Sequence, residues 1–363
     1  MLAVMAYATS MVEEVLRVRP EISVYAMLLY AGFAFVLGLS LIPSFLRFLR
    51  KNRIGKQLRV ETIDGRDPAI FRTYHESKFG TPTMGGMLIW GSILATVLFS
   101  RVLSYFGIVE NSLLSRGQVY LPLFTMVALG FLGGVDDFLN VKGVGSKRGL
   151  DVLPKIVALL FISTVGALWF YAKLEYDSIN VPFIGNIAVG AWYVPIFIFV
   201  LVGTANAVNV TDGLDGLAAG LLIIAFAAFG FLAWLSGLAV LAAFCAVCVG
   251  AVTAFLWHNV PPALFFMGDT GSLALGGTLA VMAMMVDDVL VLPLIGFVFV
   301  LEMLSVMIQL SSKKLRHGKK VFLAAPLHHH FEALQWGESK VTMRFWIVGS
   351  FFAVLGVLVA VLG

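Results

Sequence analysis

The sequence predicts an all-α, polytopic integral membrane protein. Apolar residues make up 60% of the 363 residues and charged residues only 13%, whereas soluble proteins carry about 25% charged residues. About ten runs are apolar enough to cross a bilayer as helices, which takes roughly 20 residues each. Lysine and arginine concentrate in alternate loops between these runs. Together these observations exclude an ordinary soluble protein and indicate a single transmembrane domain over residues 1–363.

The ten predicted spans account for most of the chain. They cover residues 22–46, 82–100, 118–135, 156–172, 192–209, 216–234, 238–257, 270–286, 289–312 and 345–363. The sixth and seventh spans are so close that they form a tight helical hairpin. No internal repeat is evident, which argues against the duplicated transporter folds.

The basic residues predict the orientation of the chain. Segments 47–81, 139–155 and 311–344 fall on one side of the membrane and hold 20 of the 25 lysines and arginines. Basic loops stay in the cytoplasm, so this side is cytoplasmic and both termini lie outside. Asp287 and Asp288 then lie outside, where a solvated hairpin turn explains them.

The predicted cytoplasmic loops carry the polar motifs. We expect an active site at the cytoplasmic face, built from the loops 47–81, 139–155, 210–215, 258–269 and 313–344.

The segment NAVNVTDGLDGLA, residues 206–218, places polar groups between two apolar runs. Asp212 and Asp215 share one face of a first helical turn if a helix begins near Thr211. The glycines in this segment leave backbone amides open to a phosphate or a hydrated cation. An N-capped turn between two helices is the alternative, but it explains one aspartate and not both.

A pair of acids, Asp136 and Asp137, follows GFLGGV at the predicted end of the third span. The helix dipole opposes acids at a C-terminus and the two carboxylates repel each other, so a cation should hold them there. A divalent cation, Lys142 or Lys155 would serve. The alternative is a pair of solvated charges that fix the depth of the span.

The segment FFMGDTGS, residues 265–272, places Asp269 at the start of the eighth span between two glycines. Free amides at a helix start favour an anion, whereas a carboxylate favours Mg²⁺. A site for a magnesium-bound diphosphate needs both. A plain aspartate cap has the same appearance, so the prediction depends on three acidic clusters sharing one membrane face.

The triplet His328, His329 and His330 lies in the last cytoplasmic segment. Consecutive side chains point in different directions, so the three cannot readily bind one metal. One or two could reach phosphate oxygens or move a proton. The alternative is an exposed basic loop near anionic headgroups.

Three further residues stand out. Lys78 and Thr83 precede the second span in HESKFGTPTMGG, and lysine suits phosphate as a flexible point charge. Glu302 lies within the ninth span, where a charge costs about 2.5 to 3.5 kcal/mol. We expect Glu302 to face the bundle interior and to be protonated or paired.

Carboxylates can hold Mg²⁺, and lysine and histidine can bind phosphate. This combination suits transfer of a phosphorylated group from a soluble nucleotide to a lipid. A cation-coupled transporter is the alternative class. A transporter would place its acids near the bilayer midplane, whereas nearly all of these acids lie at the ends of spans.

Several motifs carry a resemblance to a known family. NAVNVTDGLDGLA, TPTMGG, VDDF, FMGDTGSLALGG and APLHHHFE closely resemble the phospho-N-acetylmuramoyl-pentapeptide transferases, a branch of the polyprenyl-phosphate N-acetylhexosamine-1-phosphate transferases. The resemblance runs from about Ile22 to the C-terminus. It implies a Mg²⁺-dependent reaction of UDP-N-acetylmuramoyl-pentapeptide with undecaprenyl phosphate in the bacterial cytoplasmic membrane, giving lipid I and UMP. A homodimer is possible and no nucleic-acid partner is expected. The sister branch, which uses UDP-N-acetylglucosamine, remains an alternative.

The resemblance also assigns residues. Asp269 would ligate magnesium, with Asp136 and Asn209 as further candidates. Asp136 and Asp137 would deprotonate or position the lipid phosphate. Asp269 and His328 would also be catalytic residues. Substrate binding would fall to Lys78, Thr83, Lys155, Asn209, Asp212, Asp215, Asn259, Gly268, Ser272, His329 and His330. One departure is Asn140, where the family often has lysine, with Lys142 two residues on. Direct attack by the lipid phosphate and a covalent phospho-enzyme both stay open.

Overall fold

The computed structural model describes residues 22–55, 80–109, 111–115, 117–144 and 149–363. Lys78, which the sequence predicts to bind substrate, lies outside the described residues. The α-helices are α1 (Val24–Lys51), α2 (Gly86–Tyr105), α3 (Tyr120–Lys142), α4 (Val152–Leu168), α5 (Tyr193–Thr211), α6 (Leu217–Leu235), α7 (Ala239–Asn259), α8 (Asp269–Met285), α9 (Leu292–Ile295), α10 (Phe297–Leu315), α11 (Leu327–Ala333) and α12 (Glu338–Leu362).

Within the described residues, eight helices are long and apolar enough to cross a membrane. Helices α9 and α10 bend by 81° at a short break and make a ninth candidate if they are one span. The chain is therefore a mostly helical, multi-pass membrane protein, as the sequence predicts. The count of ten spans, the outward termini and the cytoplasmic face of the site stay predictions.

Helix α8, 17 residues long, lies in the middle of the helix assembly. Its side chains beyond Asp269 are buried, and it packs against α2, α3 and α5. Two glycines permit this close approach. A Cβ on Gly133 would lie 2.1 Å from the carbonyl oxygen of Asp269, and one on Gly86 would lie 2.1 Å from the amide nitrogen of Gly271. Small residues let helix backbones approach in this way, which fixes the start of α8 between α2 and α3.

The ends of two helices differ from the sequence prediction. Helix α3 continues to Lys142, so Asp136 and Asp137 lie a full turn before its end. The helix can continue because neighbouring N–H groups satisfy both carboxylates, and the left-handed Gly143 then ends it.

The segment between α5 and α6 is the second difference. Helix α5 ends at Thr211 and α6 begins only at Leu217. Asp212 and Asp215 therefore lie in a loop and not on the first turn of a helix. Neighbouring elements hold this loop, since the N–H of Asp215 donates to the carboxylate of Glu338 at 2.7 Å.

A short antiparallel hairpin joins α4 to α5. Its strands are β1 (Ser178–Val181) and β2 (Gly185–Ala188), and the N–H of Phe183 at its tip donates to the carbonyl of the last residue, Gly363, at 3.0 Å.

The hairpin covers the second acidic pair. Asp287 Oδ1 accepts the N–H of Asn180 at 3.4 Å, and Asp288 is only 9% exposed. The predicted solvated turn is therefore wrong for Asp288, because the turn packs beneath the hairpin. Burial raises the pKa of Asp288 to about 6.

Candidate active site

Two aspartates share one lysine at the centre of the site. Lys155 Nζ, on α4, donates to Asp136 Oδ2 at 3.2 Å and also pairs with Asp269 Oδ2. The other oxygen of Asp136 accepts the N–H of Leu150 at 2.6 Å. A cation does hold the first acid of the pair, as expected, and it is Lys155. The alternative cation, Lys142, lies instead 5.7 Å from the centre of the Phe138 ring.

The second oxygen of Asp269 is held by an amide. Asn209 Nδ2 donates to Asp269 Oδ1 at 2.8 Å and to Ser272 Oγ at 2.8 Å. Ser272 Oγ in turn donates to the carbonyl of Gly268 at 2.9 Å. The structure thus brings together Asn209, Gly268, Asp269 and Ser272, four residues that the sequence assigns to one site.

Asp137 has different surroundings from its neighbour Asp136. Its carboxylate accepts the N–H of Asp269 at 3.2 Å, the N–H of Thr270 at 3.0 Å and the hydroxyl of Thr270 at 2.7 Å. These donors belong to the first two residues of α8, whose own N-cap position makes no side-chain hydrogen bond. Asp137 therefore caps α8 from another helix, and its negative charge lies at the positive end of the α8 dipole.

Gly268 has a conformation and a position that few residues could occupy. Its φ is +73°, and a Cβ would lie 2.4 Å from Asp137 Oδ2 and 2.9 Å from Thr83 Oγ1. Its N–H donates to Asp212 Oδ2 at 3.2 Å. The glycine thereby brings Thr83 and Asp212 against the start of α8.

Asp215 and Asn259 hold the loop that leads into α8. Asp215 Oδ2 accepts the N–H of Ala263 at 2.9 Å. Asn259 accepts the N–H of Gly216 at 3.0 Å and donates to the carbonyl of Phe265 at 2.9 Å. Both side chains are buried. They position the loop, while their predicted contact with substrate stays a prediction.

The three histidines have three different Nδ1 partners. His328 Nδ1 lies 3.1 Å from Glu302 Oε2, and His329 Nδ1 lies 2.6 Å from Glu332 Oε2. His330 Nδ1 accepts the N–H of Leu323 at 3.2 Å. Whether the triplet can bind one metal stays a prediction.

Glu302 is fully buried and paired with His328, which confirms that it faces the interior with a partner.

Sequence reasoning missed Thr270, Leu150 and Glu332. Thr270 and Leu150 act through a hydroxyl or a backbone N–H that no motif marks. Glu332 could have been found, because it stands three residues after His329 and so on the same helix face.

The donor set suits a hard divalent cation that arrives with substrate. Asp136 and Asp269 direct one oxygen each at a single positive charge, the ammonium of Lys155. Among the described residues, no group of three or more His, Cys, Asp or Glu forms a metal cage. A small oxygen-seeking cation such as Mg²⁺ commonly takes one or two carboxylates and completes its shell with phosphate and water. The residues present fit that mode of binding.

Fold and site define the class of this protein. The model of the family described as Glycosyl transferase family 4 matches residues 119–287, the segment that runs from the start of α3 past the end of α8. The chain is an integral-membrane member of a transferase class with a carboxylate-lined polar site.

Curated relatives narrow the class. The chain is 41% identical over 349 residues to the phospho-N-acetylmuramoyl-pentapeptide-transferase of Chloroflexus aurantiacus, with 92% of this chain and 89% of the relative covered. It is 40% identical over 337 residues to the enzyme of the same name from Anoxybacillus flavithermus, with 92% and 98% covered. For the enzyme from Halalkalibacterium halodurans the identity is 41%, with 91% and 96% covered. The chain therefore belongs to the family of phospho-N-acetylmuramoyl-pentapeptide transferases.

Proposed function

We propose that the cluster of Asp136, Lys155 and Asp269 carries the transfer of phospho-N-acetylmuramoyl-pentapeptide from UDP-N-acetylmuramoyl-pentapeptide to undecaprenyl phosphate. The products are lipid I, the lipid-linked precursor of peptidoglycan, and UMP. The observation that carries the proposal is the convergence of two carboxylates on one ammonium at the start of a buried helix. Membership of the family supplies the reaction class and the substrates.

Asp269 and Asp136 would hold Mg²⁺, with Asn209 as a neighbour that orients Asp269. When bound, the ion neutralises charge on the diphosphate and on the departing UMP. The family resemblance makes Asp269 the stronger candidate ligand, and its two oxygens face the Lys155 ammonium and the Asn209 amide.

The chain's own groups have separable roles in this proposal. Lys155 exchanges its carboxylate partners for phosphate oxygens, since an ammonium contacts either as a point charge. Asp136 accepts a proton from the lipid phosphate or orients it. Asp137 holds the start of α8 in place, because its oxygens accept three hydrogen bonds from the first two residues of that helix.

Direct attack accounts for the chemistry with one displacement. An oxygen of the lipid phosphate forms a bond to the β-phosphorus while the bond from that phosphorus to the UMP oxygen breaks. The alternative begins with attack by an aspartate oxygen and needs two displacements. A burst of UMP release without any lipid acceptor would contradict direct attack.

We place the site at the cytoplasmic face of the bacterial cytoplasmic membrane, where the basic loops predict it. Soluble UDP-sugar then reaches it from the cytoplasm and the lipid acceptor from the bilayer. A homodimer is part of the proposal and can be tested by the mass of the purified particle.

The test compares two donors. Purified protein is incubated with undecaprenyl phosphate and Mg²⁺, and UMP is measured with UDP-N-acetylmuramoyl-pentapeptide or with UDP-N-acetylglucosamine. We expect turnover with the first donor only. Turnover with only the second would assign the sister branch. Turnover with neither, together with cation flux in liposomes, would support a transporter.

A further inference from the structure

A buried pair links the bent ninth segment to the histidine triplet. Glu302 lies on α10 and His328 on α11, and both residues are fully buried. Glu302 Oε2 lies 3.1 Å from His328 Nδ1. Glu302 Oε1 also accepts the backbone N–H of His328 at 3.1 Å. Because α11 has no side-chain cap of its own at Pro326, this carboxylate satisfies one of its first free amides.

The pair bears on which nitrogen of His328 carries hydrogen. If Glu302 is ionised, its carboxylate only accepts hydrogen bonds, and Nδ1 is the donor toward it. Nε2 is then the nitrogen that can exchange a proton or accept a hydrogen bond. Among the described residues, Nε2 of His328 is buried without a hydrogen-bond partner.

Nε2 points at the loop that forms one side of the site. A Cβ on Gly213 would lie 2.3 Å from this nitrogen. The neighbouring Asp212 accepts the N–H of Gly268 at the start of α8. His328 therefore packs on the loop that contacts the residue before Asp269.

We propose that Glu302 is a positioning residue for the transfer reaction, holding His328 with hydrogen on Nδ1 and Nε2 directed at the 212–213 loop. The inference rests on the proposed role of His328 in the site. A carboxylate in this apolar helix is costly, and the pairing with His328 explains why one is present.

Glu302 differs from the other carboxylate of the triplet. Glu332 pairs with His329 but belongs to α11 itself, three residues away. Its ion pair with His329 therefore stays within α11. Glu302 joins α11 to α10, so its loss should change where His328 lies relative to Gly213.

A double-mutant cycle tests the proposal. We expect Glu302→Gln to lower kcat by roughly tenfold or more, as loss of a histidine-orienting carboxylate does, with KM changed by less than about twofold. Glu302→Asp should recover part of the loss. In a His328→Ala background, Glu302→Gln should have no further effect, because the residue acts through the ring that has been removed.

The matched control is Ser305→Ala on the same helix, whose hydroxyl donates only to the Glu302 carbonyl among its described contacts. Its small effect should be the same in both backgrounds. An equal loss of kcat from Glu302→Gln with and without His328 would overturn the proposal. Wild-type kcat in His328→Ala would also overturn it, while leaving the assigned transferase reaction intact.

A second measurement needs no Glu302 variant and so does not depend on its folding. The protein is labelled with ¹⁵N-histidine, and the His328 signals are assigned by their loss in His328→Ala. Two-bond ¹H–¹⁵N correlations then report which nitrogen carries hydrogen. Hydrogen on Nδ1 supports the proposal, and hydrogen on Nε2 alone overturns it.

Discussion

Asp137 on α3 accepts two hydrogen bonds from a single residue of α8, the N–H of Thr270 at 3.0 Å and its hydroxyl at 2.7 Å. The two residues lie far apart in the chain, and their contact fixes where α8 begins. Asp269, the proposed metal ligand, is the preceding residue. The position of Asp269 therefore depends on the neighbouring carboxylate of Asp137, which accepts three hydrogen bonds from the start of α8.

Removing the Thr270 hydroxyl should destabilise the protein. Thr270→Val keeps the shape of the side chain and deletes one hydrogen bond to a charged acceptor, which is worth roughly 1.5–3 kcal/mol. The matched control is Thr278→Val on the same helix, whose buried hydroxyl donates only to the Ala274 carbonyl among its described contacts. Thermal unfolding in detergent should show the larger loss for Thr270→Val. Equal losses would contradict the capping role of Asp137.

Asp269→Asn should abolish most turnover while the protein stays folded. The change keeps the shape of the side chain but removes the charge that pairs with Lys155 and would bind Mg²⁺. Loss of one ligand that acts on developing charge costs on the order of a hundredfold or more in kcat. UMP release is measured across a Mg²⁺ titration. Near wild-type turnover with an unchanged Mg²⁺ requirement would falsify the assignment of Asp269 as the metal ligand.

Gly213→Ala should impair the enzyme because its methyl group would overlap the His328 ring. The built Cβ lies 2.3 Å from Nε2, so either the ring or the loop must move. We expect kcat to fall by roughly tenfold or more, since small displacements of a site residue cost that much. Gly203→Ala on α5 is the control, because no described residue would lie within 4 Å of its Cβ. If both variants turn over normally, the packing of His328 on this loop does not matter for catalysis.

Asp288 should make stability depend on pH. Its pKa lies at about 6, mainly because of burial and also because of the adjacent Asp287, whereas the unfolded value is near 3.8. The protonated form is thus the stabilising one, fully present below pH 4 and lost as pH rises through 6. Asp288→Asn should remove this pH dependence and raise stability at pH 7 by up to roughly 3 kcal/mol.

The measurement is the difference in unfolding temperature between Asp288→Asn and the wild type from pH 4 to pH 7. The difference should grow with pH. The control is Asp177→Asn at a nearby exposed carboxyl, which should leave the temperature unchanged. A constant difference across this range would show that burial does not disfavour ionisation of Asp288.

The predicted orientation can be tested by labelling from each side of the membrane. A cysteine at His317, which is exposed after α10, should react only from the cytoplasmic side. A cysteine at Phe183, 70% exposed at the hairpin tip, should react only from outside. The native Cys245 and Cys248 are buried and should stay unlabelled. A reversed pattern would move every proposed site residue to the other face.

The sequence by itself determined that the chain is a mostly helical, multi-pass membrane protein. A run of apolar residues must form a helix in a bilayer, because no water is present to satisfy its backbone. The described helices accordingly lie close to the predicted spans. Charge next to apolar runs was also informative, since it drew attention to Glu302, Asp136 and Asp269, and each of these carboxylates is ion-paired in the structure.

Only the tertiary structure decided what each acid does. Asp136 and Asp137 are adjacent and chemically identical, and one lies against Lys155 while the other caps α8. Asp287 and Asp288 looked like a solvated turn until a hairpin from elsewhere in the chain covered them. Helical periodicity predicts which face of a helix a residue occupies. It does not predict which distant amide or ammonium forms a hydrogen bond or ion pair with that residue. That partner is set by how the helices pack, and here glycines at α2, α3 and α8 set the packing.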